Sequence, residues 1–165
     1  MRTMTKGDKK MEINIGISEE NRKEIADALS RVLADSYMLY LKTHNYHWNV
    51  TGELFHSLHE QFEEQYTELA DAIDEIAERI RALGYRAPGT FKEFNELTSI
   101  DEQQDEPEAM EMVRRLAVGN EQVLRTAREA LEPANNAEDE ATIDLLTERL
   151  HVHSKTAWML RSHLE

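Results

Sequence analysis

The sequence predicts an all-α protein: four long helices in one bundle, with a long crossover between the second and the third. Three observations predict it. Only 6 Gly and 3 Pro occur in 165 residues, so few positions force the chain to break. Apolar residues recur every three or four positions, the spacing of amphipathic helices rather than of strands. The segments with that spacing are joined by two short turns and one stretch of about 22 residues, longer than the usual link between antiparallel neighbours.

The first helix is expected to begin at Ser18, a good N-cap followed by Glu19 and Glu20, and to end around Asn49. Ile25, Leu29, Val32, Ser36, Leu39 and Thr43 share one of its faces. A turn through Thr51 and Gly52 leads to a second helix carrying Leu58, Phe62, Leu69, Ile73, Ile76 and Ile80, which Gly84 stops as the residue after the cap. Within the crossover, Thr90 and Glu93 have the spacing of a capping box ahead of Phe91, Phe94 and Leu97, which predicts a short extra helix there. The third long helix is expected to open on a capping box from Asp105 to Glu108 around Pro107 and to stop at Pro133. The fourth should run from Asn136 to about His163. Two short turns and one long crossover describe the ferritin-like variant of the four-helix bundle. Residues 1–17 read as a flexible N-terminal tail and 18–165 as the single bundle domain.

The chain carries 19 basic against 33 acidic residues, a net charge of −14, which argues against a generally basic surface for nucleic acid or anionic membrane and favours cations as small partners. With no cysteine, there is no disulfide framework and any metal must be held by nitrogen and oxygen. No apolar run approaches the roughly 18 residues of a membrane span, and the polar N-terminus lacks the apolar core of a signal peptide, so a cytoplasmic protein is expected.

The histidines supply the chemistry. The stretch His44 to Glu64 holds four of the seven, among carboxylates. At about 100° per residue, His59, Glu63, Asp74 and Glu78 fall within one stripe about 100° wide on the second helix. His47 lies as far before the first turn as His59 lies after it, so the two imidazoles should stand level on neighbouring antiparallel helices. The centre of the His59/Glu63 pair is 15 residues from that of Asp74/Glu78, about 22 Å along the helix, a gap one chain cannot close. A second copy packed antiparallel about a two-fold axis near Glu68 and Leu69 would set Asp74 and Glu78 of one chain opposite His47, His59 and Glu63 of the other. Imidazole with carboxylate is the ligand mixture suited to Fe(II), with zinc or manganese able to compete, whereas calcium and magnesium prefer oxygen alone.

The segments HNYHWNVTG, FHSLHEQFEE and DAIDEIAERIRALG resemble the Dps mini-ferritins, the DNA-protection-during-starvation proteins, and the likeness extends over nearly all the chain after Ser18. The resemblance implies a ferritin-like bundle, a hollow dodecamer, and a ferroxidase site to which one subunit gives His47 and His59 and its partner Asp74 and Glu78. It implies that Fe(II) is oxidised there by hydrogen peroxide in preference to dioxygen, that ferric mineral is stored inside the shell, and that DNA is protected by that chemistry. One position departs: similar proteins most often have Asp where this chain has Glu63, whose extra methylene moves the carboxylate outward by about 1.5 Å. By the same resemblance Trp48 supplies an electron to a stray oxidising equivalent, although a large aromatic at a helix end also serves packing. Asp144 would line a three-fold pore for iron, with Asp139 among the acidic residues Glu138 to Glu140 that also suit the positive end of a helix dipole.

Three rival readings follow from other residues. Two Glu-x-x-His patterns, Glu53 to His56 and Glu148 to His151, suggest an intrachain di-iron site, but their expected levels in the bundle differ by about 15 to 20 Å. The N-terminal Arg2, Lys6, Lys9 and Lys10 suggest a nucleoid protein that binds DNA through multiplied basic tails. An iron-free structural shell would leave the metal stripe idle.

Overall fold

In the computed structural model, which describes residues 10–165, the backbone forms five helices among those residues and no strand. They are α1 (Glu19–Asn49), α2 (Phe55–Ala82), α3 (Phe91–Leu97), α4 (Ala109–Asn136) and α5 (Glu140–Arg161). The four long helices form the bundle, with α1 against α2 and α4, α4 against α5, and α2 meeting α5 more sparsely; α3 rides on α1 within the crossover.

The helix ends follow from local chemistry. The Ser18 hydroxyl accepts from the Asn21 N–H at 3.2 Å, and extended backbone at Val50 closes α1. Gly84, at φ +99°, ends α2 with a backbone that L side chains rarely adopt. The space above it is also filled, because a Cβ there would lie 2.2 Å from Ile13 Cδ1. Residues 10–17 are therefore laid against the bundle through Ile13, and Ile17 packs on the core. The remainder of the expected tail, residues 1–9 with Arg2, Lys6 and Lys9, lies outside the described residues. On α3 the capping box forms in both directions, Thr90 accepting from the Glu93 N–H and Glu93 accepting from the Thr90 N–H.

Two expected boundaries are corrected. Asp105 does not cap α4; its carboxylate takes two hydrogen bonds from Arg115, at 2.6 and 2.7 Å, and Glu108 caps the helix through its backbone alone. Nor does Pro133 stop α4, which continues to Asn136. A proline removes one helical hydrogen bond, but in the last turn there is little left to break, and the buried Ala130 and Ala134 hold the segment on the core. Consequently α5 starts at Glu140 rather than Asn136, with Asp139 as N-cap accepting from Thr142 N–H.

Inside the bundle, a fully buried carboxylate ties the crossover down. Asp35 accepts from Thr98 Oγ1 at 2.8 Å, Ser99 N–H at 2.6 Å and Thr126 Oγ1 at 2.6 Å, joining α1, the crossover and α4. Asp35→Ala would strand these donors, and we expect it to lower unfolding free energy by about 3 kcal/mol in urea titration, with Asp35→Asn losing less.

Candidate metal centre

His47 near the end of α1 and His59 in the second turn of α2 stand level, with ring centroids 3.8 Å apart and planes inclined by only 16°. Each ring is locked by the other's backbone: His47 Nδ1 lies 2.7 Å from the His59 carbonyl, and His59 Nδ1 lies 2.7 Å from the His47 carbonyl. A carbonyl can only accept, so both Nδ1 atoms carry the proton and donate. Both Nε2 lone pairs are thereby left for a metal, in the tautomer that metal ligation requires.

Glu63 sits one helical turn after His59. One ligand atom from each of His47, His59 and Glu63 falls within 4.8 Å of the others, and among the described residues no other group of three His, Cys, Asp or Glu side chains is so arranged. His47 is buried, His59 half-buried and Glu63 exposed, so the trio forms an open-faced site at the protein surface. Two imidazoles and one carboxylate with open positions form the donor set of ferrous sites that react with an oxidant. Asp74 and Glu78 are exposed on the same α2 but belong to no such cluster among the described residues.

Aromatic rings wall the site. His44 stacks on Tyr66 (4.2 Å between centroids) and lies 3.9 Å from Trp48; Tyr66 meets His47 edge-on at 5.1 Å, and Phe55 stacks on His59 at 5.1 Å. Burial, and then the neighbouring His47, hold the His44 imidazole below its ordinary pKa. His44 and Tyr66 were not singled out from the sequence, although His44 lies one turn from Trp48 and Tyr66 three residues from Glu63. Trp48 is largely exposed, with its ring against His44.

The acidic residues around the start of α5 have divided roles. Asp139 is buried, bonded to Arg79 at 2.7 Å and to Thr142, so its carboxylate is committed to the cap and to an ion pair that hold it below its usual pKa against the opposing effect of burial. Asp144 is exposed. The Glu-x-x-His patterns do not meet: Glu53 lies in the turn before α2, Glu148 within α5, and neither joins a metal cluster among the described residues.

A bundle with this crossover and a two-His, one-carboxylate cluster at the α1–α2 bend defines a ferritin-like protein, and residues 26–165 match the sequence profile of the ferritin-like domain. The DNA protection during starvation protein 2 of Bacillus anthracis is 43% identical over 142 residues, spanning 86% of this chain and 97% of that protein. The Dps crystal structure from Vibrio cholerae O1, a member of a broad superfamily of ferritin-like diiron-carboxylate proteins, superposes with a TM-score of 0.89 at 34% identity, covering 94% of this chain and 98% of that one. The Dps structure from Bacillus brevis gives a TM-score of 0.85 at 37% identity, with coverage of 88% and 98%. The chain belongs to the Dps family of mini-ferritins.

Proposed function

We propose that the protein is a ferroxidase that stores iron: it oxidises Fe(II) at sites shared by two subunits and retains the ferric product inside a closed shell of twelve. The carrying observation is the reciprocal His47–His59 lock, which leaves both Nε2 lone pairs free, in a trio whose ligand atoms, one each from His47, His59 and Glu63, lie within 4.8 Å of one another. Such preorganisation is costly to build and idle in a structural shell.

The partner supplies Asp74 and Glu78, which stand about 22 Å from the cluster along α2 of their own chain. The surface supports that packing. Trp48, Leu54 and Phe55 are exposed around the α1–α2 bend, Phe55 stacked on His59 and Trp48 against His44, and an apolar groove of about 420 Å³ lined by Leu33, Tyr37, Ile73, Ala77, Phe91 and Phe94 shares the stretch of α2 that carries Asp74 and Glu78. An antiparallel copy would cover both, as exposed apolar patches of this kind call for.

Fe(II) is the substrate, and zinc or manganese would compete for the same donors. Hydrogen peroxide takes two electrons and two protons to give two waters, so a pair of ferrous ions, each losing one electron, reduces it without releasing a radical. Dioxygen is the slower oxidant in this reading, and Trp48, at van der Waals range from His44, is the reductant for a one-electron stray. Asp144 rather than Asp139 receives iron at the pore, since Asp139 is already occupied. No helix among the described residues is long and apolar enough to cross a membrane, and the reading places the shell in the cytoplasm. DNA is protected by removal of iron and peroxide; contact through the N-terminal lysines is not required, and the net charge of −14 opposes it.

Anaerobic Fe(II) titration followed by stopped-flow oxidation tests this. The wild type is expected to bind Fe(II) tightly at the interfacial site and to oxidise it faster with peroxide than with dioxygen; His59→Ala should bind correspondingly fewer Fe(II) and lose at least about 100-fold in rate, each lost ligand removing several kcal/mol. An unchanged oxidation rate in His59→Ala would exclude the site.

A further inference from the structure

The sparsest seam of the bundle, between α2 and α5, holds a second set of metal-type donors. Arg149 on α5 pairs with Glu68 on α2, and Arg79 on α2 pairs with Asp139 before α5, so the two helices run antiparallel in a fixed register. One turn from Glu68, Gln65 comes level with His153. Both residues line a cavity of about 370 Å³ that opens to the surface between the helices.

His153 is 1% exposed, and its Nδ1 lies 2.8 Å from Asn120 Oδ1 on α4. The Asn120 amide nitrogen donates to the Leu116 carbonyl, which fixes Oδ1 as the atom facing the ring, so Nδ1 carries the proton. The Nε2 lone pair is left over, buried and without a partner, and so is Gln65 Oε1. Two buried acceptors without partners are unfavourable unless something electropositive lies between them, and the Arg149 Nε–H, itself buried and unpartnered, bonds to neither. Around the cavity stand the carboxylates of Glu64, Glu68 and Glu148. Against them, Lys155 is on the lining and Arg149, 5% exposed, is already paired with Glu68.

We propose that this groove binds a divalent transition-metal cation, with His153 Nε2 and Gln65 Oε1 as its interior ligands and the rim carboxylates of Glu64 and Glu148, unpaired among the described residues, supplying the opposing charge. The imidazole nitrogen selects a zinc- or iron-like ion over calcium or magnesium. The Asn120 bond is the outer-shell contact that orients the ring, as metal-ligating histidines require. The site shares no residue with His47, His59 and Glu63, so it stands or falls independently of the ferroxidase reading.

Its test uses the full-length protein in a His59→Ala background, where the interfacial site is already disabled. Zn(II) alone is titrated by calorimetry, and Co(II) by its visible absorption. About one ion per chain is expected, with a Co(II) spectrum of mixed nitrogen and oxygen ligation. Adding His153→Ala should abolish it, and adding Gln65→Leu should weaken it about tenfold. Gln65 is only partly buried, so that variant decides the matter should His153→Ala fail to fold. No ion bound in His59→Ala, or binding that both additional substitutions leave unchanged, overturns the proposal. A zinc-soaked crystal with only a water between His153 and Gln65, and no anomalous signal, overturns it equally.

Discussion

Two variants, each inactive alone, are expected to regain activity when assembled together. In a His59→Ala homodimer both sites lack an imidazole; in an Asp74→Ala/Glu78→Ala homodimer both lack the opposing carboxylates. A mixed dimer has one doubly damaged site and one intact site, built from the His half of the second variant and the carboxylate half of the first. Random assembly of equal amounts makes about half the dimers mixed, so about a quarter of all sites should be intact, and the ferroxidase rate per subunit should rise to about a quarter of wild type. Co-expression with two affinity tags, followed by stopped-flow oxidation, measures it. The expectation is sharp because intrachain sites could give no recovery in any mixture. The geometry behind it is the rigid separation along α2: a straight helix cannot bring Glu78 back to His59, whatever the side chains do. The three-donor cluster of one chain can hold a metal by itself, so the carboxylate variant is expected to keep some Fe(II) binding while losing most oxidation. That split between binding and turnover identifies what the partner contributes.

Much of this architecture is legible from spacing alone, because it is written in local patterns. Ser18 as N-cap, the Thr90–Glu93 capping box and Gly84 as a helix stop are short-range devices, and each occurs where its residue type demands. His47 and His59 are equally legible, since equal distances from a tight bend put two residues level. The failures share one physical cause. Asp105 has the right spacing for a cap, but a longer-range partner, Arg115, takes it; Pro133 has the right identity for a stop, but burial of its neighbours outweighs the loss of one hydrogen bond. Tertiary contact overrode local preference in both. The His153–Asn120–Gln65 assembly is illegible for a related reason. It joins one residue from each of three helices, and no spacing within a single helix announces it.

That buried histidine also gives the apoprotein an acid weakness. Burial, reinforced by the nearby Arg149 charge, pushes the His153 pKa down to about 3 from an ordinary value of 6.5. A histidine whose pKa is lower folded than unfolded stabilises the fold fully above the unfolded value; between pH 6.5 and about 3 the unfolded chain binds a proton that the native state refuses, and stability is lost throughout that window. A shift of this size corresponds to about 5 kcal/mol at its limit, enough to threaten a domain of ordinary stability. The groups at the ring do not offer relief: Asn120 Oδ1 already takes the Nδ1 proton, Arg149 is positive, and Glu68 on the same cavity is engaged by Arg149. Metal-free protein should therefore show a urea midpoint that falls steeply as pH drops from about 6.5 to 4. In His153→Gln, which cannot be protonated, the midpoint should be lower at neutral pH but much flatter across the same range. Parallel curves for the two proteins would mean that His153 acquires its proton without disturbing the bundle, and that the acid sensitivity belongs to the surface carboxylates instead.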